Sequence, residues 1–205
     1  MSFEHWLAFV LTSVVILIIP GPTILLVIGD ALAHRGRSAF ATVAGVAAGD
    51  LTAFTLSMAG LGAVLAASAA LFTALKWAGA AYLVYLGIQA LRAAGRAGAM
   101  EVASQAGSGP QRFAKAWLVT ALNPKSIVFF VAFVPQFIDA RAAFWPQAAV
   151  LIPTFVVMAS ANAMVYALLA RSLAHRLTTR RAQANVQRAG GITLIGAGAL
   201  IATRT

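Results

Sequence analysis

Residues 6–28 read WLAFVLTSVVILIIPGPTILLVI, twenty-three positions without a charged side chain, interrupted by Pro20-Gly21-Pro22. A hydrocarbon core about 30 Å thick takes about 20 apolar helical residues to cross. The stretch is therefore predicted to span a membrane. Each proline removes a backbone donor and clashes with the preceding turn, so the span is predicted to break there. At bilayer depth the freed carbonyls need a partner or a water-lined cavity, and the exposed backbone ends are predicted to line a substrate site.

Working outward, five more apolar runs follow, near 40–66, 71–91, 113–137, 145–170 and 186–203. The fold class is thus an all-α membrane protein of six transmembrane helices. Hydrophobic residues make up 61% of the 205, charged residues 10%, and mean hydropathy is +0.87. Soluble domains are usually about a quarter charged, and the short alternating segments of a β-barrel are absent from the sequence. Met1 to His5 carry Glu4 and no Lys or Arg, and the first run is too long for a signal-peptide core, so it is read as a retained span.

The net charge of +10 does not point to nucleic acid, because the basic residues fall in loops between spans. The first, third and fifth loops hold eleven Lys and Arg, from Arg35 and Arg37 through Arg92, Arg96, Arg112 and Lys115 to Arg188. The opposite side holds three: Lys76, Arg141 and Arg204. Odd-numbered loops are therefore expected in the cytoplasm and both termini outside. The longest connection divides the chain into a first three-helix repeat (1–91), a cytoplasmic linker (92–112) and a second repeat (113–205).

Three correspondences relate the halves. Pro20-Gly21-Pro22 in span one matches Asn123-Pro124-Lys125 in span four, Gly49-Asp50 matches Ala161-Asn162, and Ala78-Gly79 with Gly87 matches Ala189-Gly190 with Gly198. Their common order predicts a 3+3 inverted repeat with broken first and fourth helices, an architecture recurrent in transporters.

Polar groups inside spans mark the candidate site. Lys125 costs about 2.5–3.5 kcal/mol at the bilayer centre and is expected to face a cavity, with a substrate carboxylate as its natural ligand, aided by the end of a half-helix. Snorkelling to the interface is the structural alternative. Asp50 is the one acid well inside a span. It is open between binding a substrate ammonium, pairing with Lys125 and carrying a coupling proton. Glu4, Asp30, Glu101 and Asp139 sit at span ends or in loops, where solvation is the default. Asn162 either bonds across the bundle or lines the site. Gly45 and Gly49 are read as a close-packing pair, as are Gly79, Gly87, Gly190 and Gly198. Trp6, Trp117 and Trp145 read as interfacial anchors, and Tyr82, Tyr85 and Tyr166 as packing.

No cysteine is present, and His5, His34 and His175 lack metal-site spacing, so neither a metal nor another cofactor is expected. No histidine lies deep in a span to serve an intramembrane hydrolase, so an enzyme is not expected. No phosphate-binding Gly-x-x-x-x-Gly-Lys-Ser/Thr occurs, so drive by ATP would need a partner.

In these motifs the chain resembles the lysine exporter / RhtB-type family of bacterial amino-acid efflux proteins. The resemblance rests on Pro20-Gly21-Pro22, Gly45/Gly49-Asp50, the run Ala78 to Leu83 with Gly87, and Asn123-Pro124-Lys125. It implies export of amino acids or related small zwitterions across the bacterial inner membrane, driven by the proton gradient. It also maps Pro20, Gly21, Pro22, Asp50, Asn123, Pro124 and Lys125 onto signature positions. The expected partners are a small-molecule substrate and the lipid bilayer, with a homodimer through glycine-rich faces left open. Export of a different small solute or cation, or a non-transporting assembly subunit, stands as the alternative.

Overall fold

A computed structural model describes residues 1–34, 39–94, 107–139 and 141–170, with nine further helical positions between 184 and 199. Among the described residues the chain is helical throughout, with no strand. The helices are α1 (Phe3–Ile18), α2 (Pro22–Ala33), α3 (Ala39–Ala67), α4 (Ala69–Ala94), α5 (Gly109–Ala121), α6 (Pro124–Val128) and α7 (Phe144–Leu168). A π-helical turn (Phe129–Phe133) and a 3₁₀ turn (Val134–Phe137) extend α6.

α3 and α7 are each long and apolar enough to cross a bilayer. α1 and α2 form a broken span bent by 56°, and α5 with the 124–137 segment forms another bent by 42°. These make up to four candidate crossings among the described residues. α4 covers the third predicted span, whereas most of the sixth lies outside the described residues. The protein is a multi-pass helical membrane protein.

Local sequence explains the breaks. At the first, Gly21 is the N-cap of α2 and Pro22 occupies its first turn, where a missing N–H costs nothing. At the second, Asn123 caps α6, its Oδ1 accepting the Lys125 N–H at 3.1 Å, and Pro124 again takes the first turn. Residues 109–112, expected in the linker, are helical instead. Pro110 lies in the first turn of α5, and the Ser108 N–H donates to Gln111 Oε1 at 2.9 Å.

The tightest seam joins α3 to α5. A Cβ added at Gly45 would lie 2.4 Å from the Phe113 carbonyl oxygen, and one at Gly49 would lie 2.6 Å from Thr120 Cβ. Only glycine permits that approach. Gly87 of α4 meets Gly191 in the same way, each Cβ position falling 2.7 Å from the other's carbonyl oxygen. Gly79 lies within α4, while Gly190 and Gly198 are outside the described residues. Several hydroxyls in the spans are paired along their own helices, as in Thr12 to Ala8, Thr52 to Ala48 and Ser160 to Val156.

Candidate functional site

The two breaks meet in the middle of the bundle. Asn123 Nδ2 donates to Thr23 Oγ1 at 3.1 Å, and Thr120 Oγ1 lies 3.3 Å from the same hydroxyl. The start of α2 is thereby tied to the end of α5 and the start of α6. Lys125 reaches the other way, its stem passing over Gly21, where an added Cβ would stand 3.6 Å from Lys125 Cδ.

The last four carbonyls of a helix have no intrahelical partner, and at bilayer depth water does not supply one. At the end of α1 the chain supplies side chains from the other side of the bundle. Lys125 Nζ donates to the carbonyls of Ile16 (2.7 Å) and Ile19 (2.6 Å). Asn162 Nδ2 donates to Leu17 (3.0 Å), and the Tyr166 hydroxyl to Ile18 (2.7 Å). Four consecutive carbonyls are satisfied by three polar side chains. Tyr166, read from sequence as packing, is thus a hydrogen-bond donor at the site. Its signal was available in the four-residue spacing from Asn162, which puts both on one face of α7.

Asp50 is 3% exposed. It lines the same small cavity as Gly21, Thr23, Asn123, Lys125, Ser126 and Asn162. Its carboxylate has no hydrogen-bond or ion-pair partner among the described residues, and no pairing with Lys125 forms within 4 Å. Phe129 and Phe155 close the cavity on one side, Ile24 and Val46 on the other. Its volume of about 40 Å³ compares with roughly 30 Å³ for one water and about 300–1,000 Å³ for small-molecule sites. This conformation leaves too little room for a small-molecule solute, and admitting one requires the walls to part. A larger open depression, about 420 Å³, lies at the far ends of α1 and α7, beside Met1, Trp6, Pro146 and Gln147.

One acid departs from expectation. Asp30, assigned to solvent from its place near a span end, is 1% exposed. Thr42 Oγ1 donates to its Oδ2 at 2.5 Å, His34 Nδ1 lies 3.2 Å from Oδ1, and Arg112 Nη1 lies 3.6 Å from Oδ1. Burial followed because α3 and α5 converge on the end of α2, a contact across 82 positions of sequence that no local pattern announces. Pro20, Pro22 and Pro124 act through the backbone, setting the bends.

Paired helix breaks around buried polar groups define a membrane transport protein rather than a simple anchor. The LysE type translocator profile matches residues 14–205, and the chain belongs to that family. Its relatives include a homoserine/homoserine lactone efflux protein of Salmonella typhimurium and a membrane protein of Vibrio cholerae. Each is 36% identical over 203 residues, covering 99% of this chain and 98% of the relative. A membrane protein of Pseudomonas aeruginosa is 36% identical over 145 residues, covering 69% of this chain and 67% of its own. No solved structure matches the chain.

Proposed function

We propose that this protein is a secondary active transporter that exports amino acids or related small zwitterions across the bacterial inner membrane by proton antiport. In this reading six spans form a 3+3 inverted repeat, with residues 1–91 and 113–205 as the repeats and 92–112 between them. The basic odd-numbered loops are cytoplasmic and both termini lie outside.

The carrying observation is the Lys125 ammonium held between the carbonyls of Ile16 and Ile19. Two carbonyls at that distance already form a site for an ammonium group. A zwitterion exchanges partners there: its ammonium takes the α1 carbonyls, and Lys125 turns to its carboxylate. Such an exchange leaves both ammonium groups and the carboxylate with hydrogen-bond partners, which a low-dielectric site demands. The relatives' printed names fit the ammonium half of this scheme, since homoserine and its lactone both carry an ammonium, while only homoserine offers Lys125 a free carboxylate and the lactone offers an ester carbonyl. Asp50 is left for the coupling proton, because a proton supplies the partner that the described residues do not.

Counterflow in proteoliposomes with labelled amino acids tests the reading. One amino-acid class should accumulate in the parent and be lost in Lys125→Ala. No accumulation of any amino acid by folded protein would overturn the efflux reading, and unchanged accumulation in the variant would remove Lys125 from the site. Asp50→Asn should abolish efflux driven by a proton gradient while leaving counterflow. Driven efflux at the parental rate would sink the coupling role.

A further inference from the structure

α2 and α3 run from the cavity to the Asp30 cluster, and α5 runs beside them from Thr120, which is hydrogen-bonded to the cavity residue Thr23. Along α2, Thr23 and Asp30 are seven residues apart; along α3, Asp50 and Thr42 are eight; along α5, Thr120 and Arg112 are eight. At 1.5 Å per residue the cluster lies about 10–12 Å from the cavity on all three. It joins the last turn of α2, the first turn of α3 and the first turn of α5 at one point. Between cluster and cavity the buried side chains are small or thin, chiefly Ala, Val and Ile. Parting α2 from α5 at this end would free the α2 wall of the cavity at Thr23 and Ile24, and the Asp30–Arg112 pair is the charged contact between those two helices.

The pair is also weakly completed. The 3.6 Å separation exceeds hydrogen-bond length. Asp30 Oδ1 and Arg112 Nε and Nη1 are buried with no hydrogen bond among the described residues. A buried ion pair without its full set of hydrogen bonds recovers little more than its desolvation cost, so opening it costs little net. Removing one member is different, since it strands a buried charge.

We propose that Asp30 and Arg112 form a latch closing the cavity toward the end of the bundle that carries the first and third loops. Thr42 and His34 hold Asp30 in place, and transport alternates between latched and parted states of this end. The proposal rests on the transporter reading for its purpose, and its test does not require transport.

The chain has no cysteine, so Ser126→Cys places a single reactive thiol in the cavity wall. Its labelling by a membrane-impermeant methanethiosulfonate is read from each face of oriented vesicles. Arg112→Gln and Asp30→Asn should each raise labelling about tenfold from the face of the first and third loops alone. The charge swap Asp30→Arg with Arg112→Asp should return it toward the parental rate. Thr42→Val, which removes one hydrogen bond and no charge, should raise it about threefold from the same face. Unchanged labelling, equal gains from both faces, or a swap no better than the single variants would overturn the latch. Counterflow activity with unchanged labelling keeps the efflux reading and discards the latch. One-sided labelling in a protein that transports nothing does the reverse.

Discussion

The two ends of the bundle are built from different materials. On one side of the cavity the buried cluster contains seven phenylalanines among its sixteen members, including Phe54, Phe129, Phe130 and Phe155. On the other side the cluster has, among the described residues, six alanines in eleven members and no phenylalanine. The rings interlock: Phe54 stacks on Phe130 at 4.2 Å with an interplanar angle of 1°, and Phe155 stands edge-on to both. In a bilayer, apolar side chains gain little by leaving lipid for protein, so packing and dispersion hold such an end together. Separating it would break many ring contacts at once. At the alanine end α3 stays closely packed on α5, whereas α2 meets α5 through few atoms and the Asp30–Arg112 latch. The contrast assigns movement to the alanine end and the fixed wall to the aromatic end.

The largest break in that contrast should come from Phe130→Ala. The ring is fully buried, and its loss should destabilise the protein by about 3–5 kcal/mol, read from unfolding in detergent. Ala163→Gly, at the other end, should cost about 1 kcal/mol through helix propensity alone. Equal costs would erase the distinction. Gly49→Ala should come next, at about 1–3 kcal/mol of overpacking, because its Cβ would meet both Thr120 Cβ and the Trp117 carbonyl oxygen, 2.8 Å away. Gly60→Ala is the matched control, with nothing within 4 Å. It should be neutral or stabilising by up to about 1 kcal/mol. If both substitutions behave alike, the α3–α5 seam is not close-packed. Tyr166→Phe should show the smallest loss, about 0.6–1.5 kcal/mol for one hydrogen bond to Ile18. A variant as stable as the parent would show that this carbonyl finds another partner.

Much of this was legible in the sequence where the physics is local. Pro20-Gly21-Pro22 and Asn123-Pro124 marked both breaks, although a lone proline does not suffice, since Pro153 lies inside the continuous α7; an apolar run long enough to cross a bilayer marks its own span. Asp50, Lys125 and Asn162 stood out as costly groups at depth, and all three line one cavity. What sequence could not show was partnership. Lys125 was expected to wait for a carboxylate, yet its ammonium rests on the carbonyls of α1, because only tertiary structure brings the two breaks together. Asp30 looked solvated because its position near a span end says nothing of the helices beside it. The aromatic end was unmarked for the same reason. Phe9, Phe54, Phe129 and Phe155 come from separate helices, and the π-helical turn that carries Phe129 and Phe130 has no motif of its own.

The exchange at the site rests on the α1 carbonyls as an ammonium site that Lys125 vacates. Competition against labelled homoserine in proteoliposome counterflow tests it directly, with homoserine, homoserine lactone and the analogue bearing a hydroxyl in place of the α-amino group as competitors. Homoserine and the lactone should compete, and the analogue should not. Competition by the amine-free analogue at the strength of homoserine would show that the carboxylate alone is recognised and would contradict the exchange at α1.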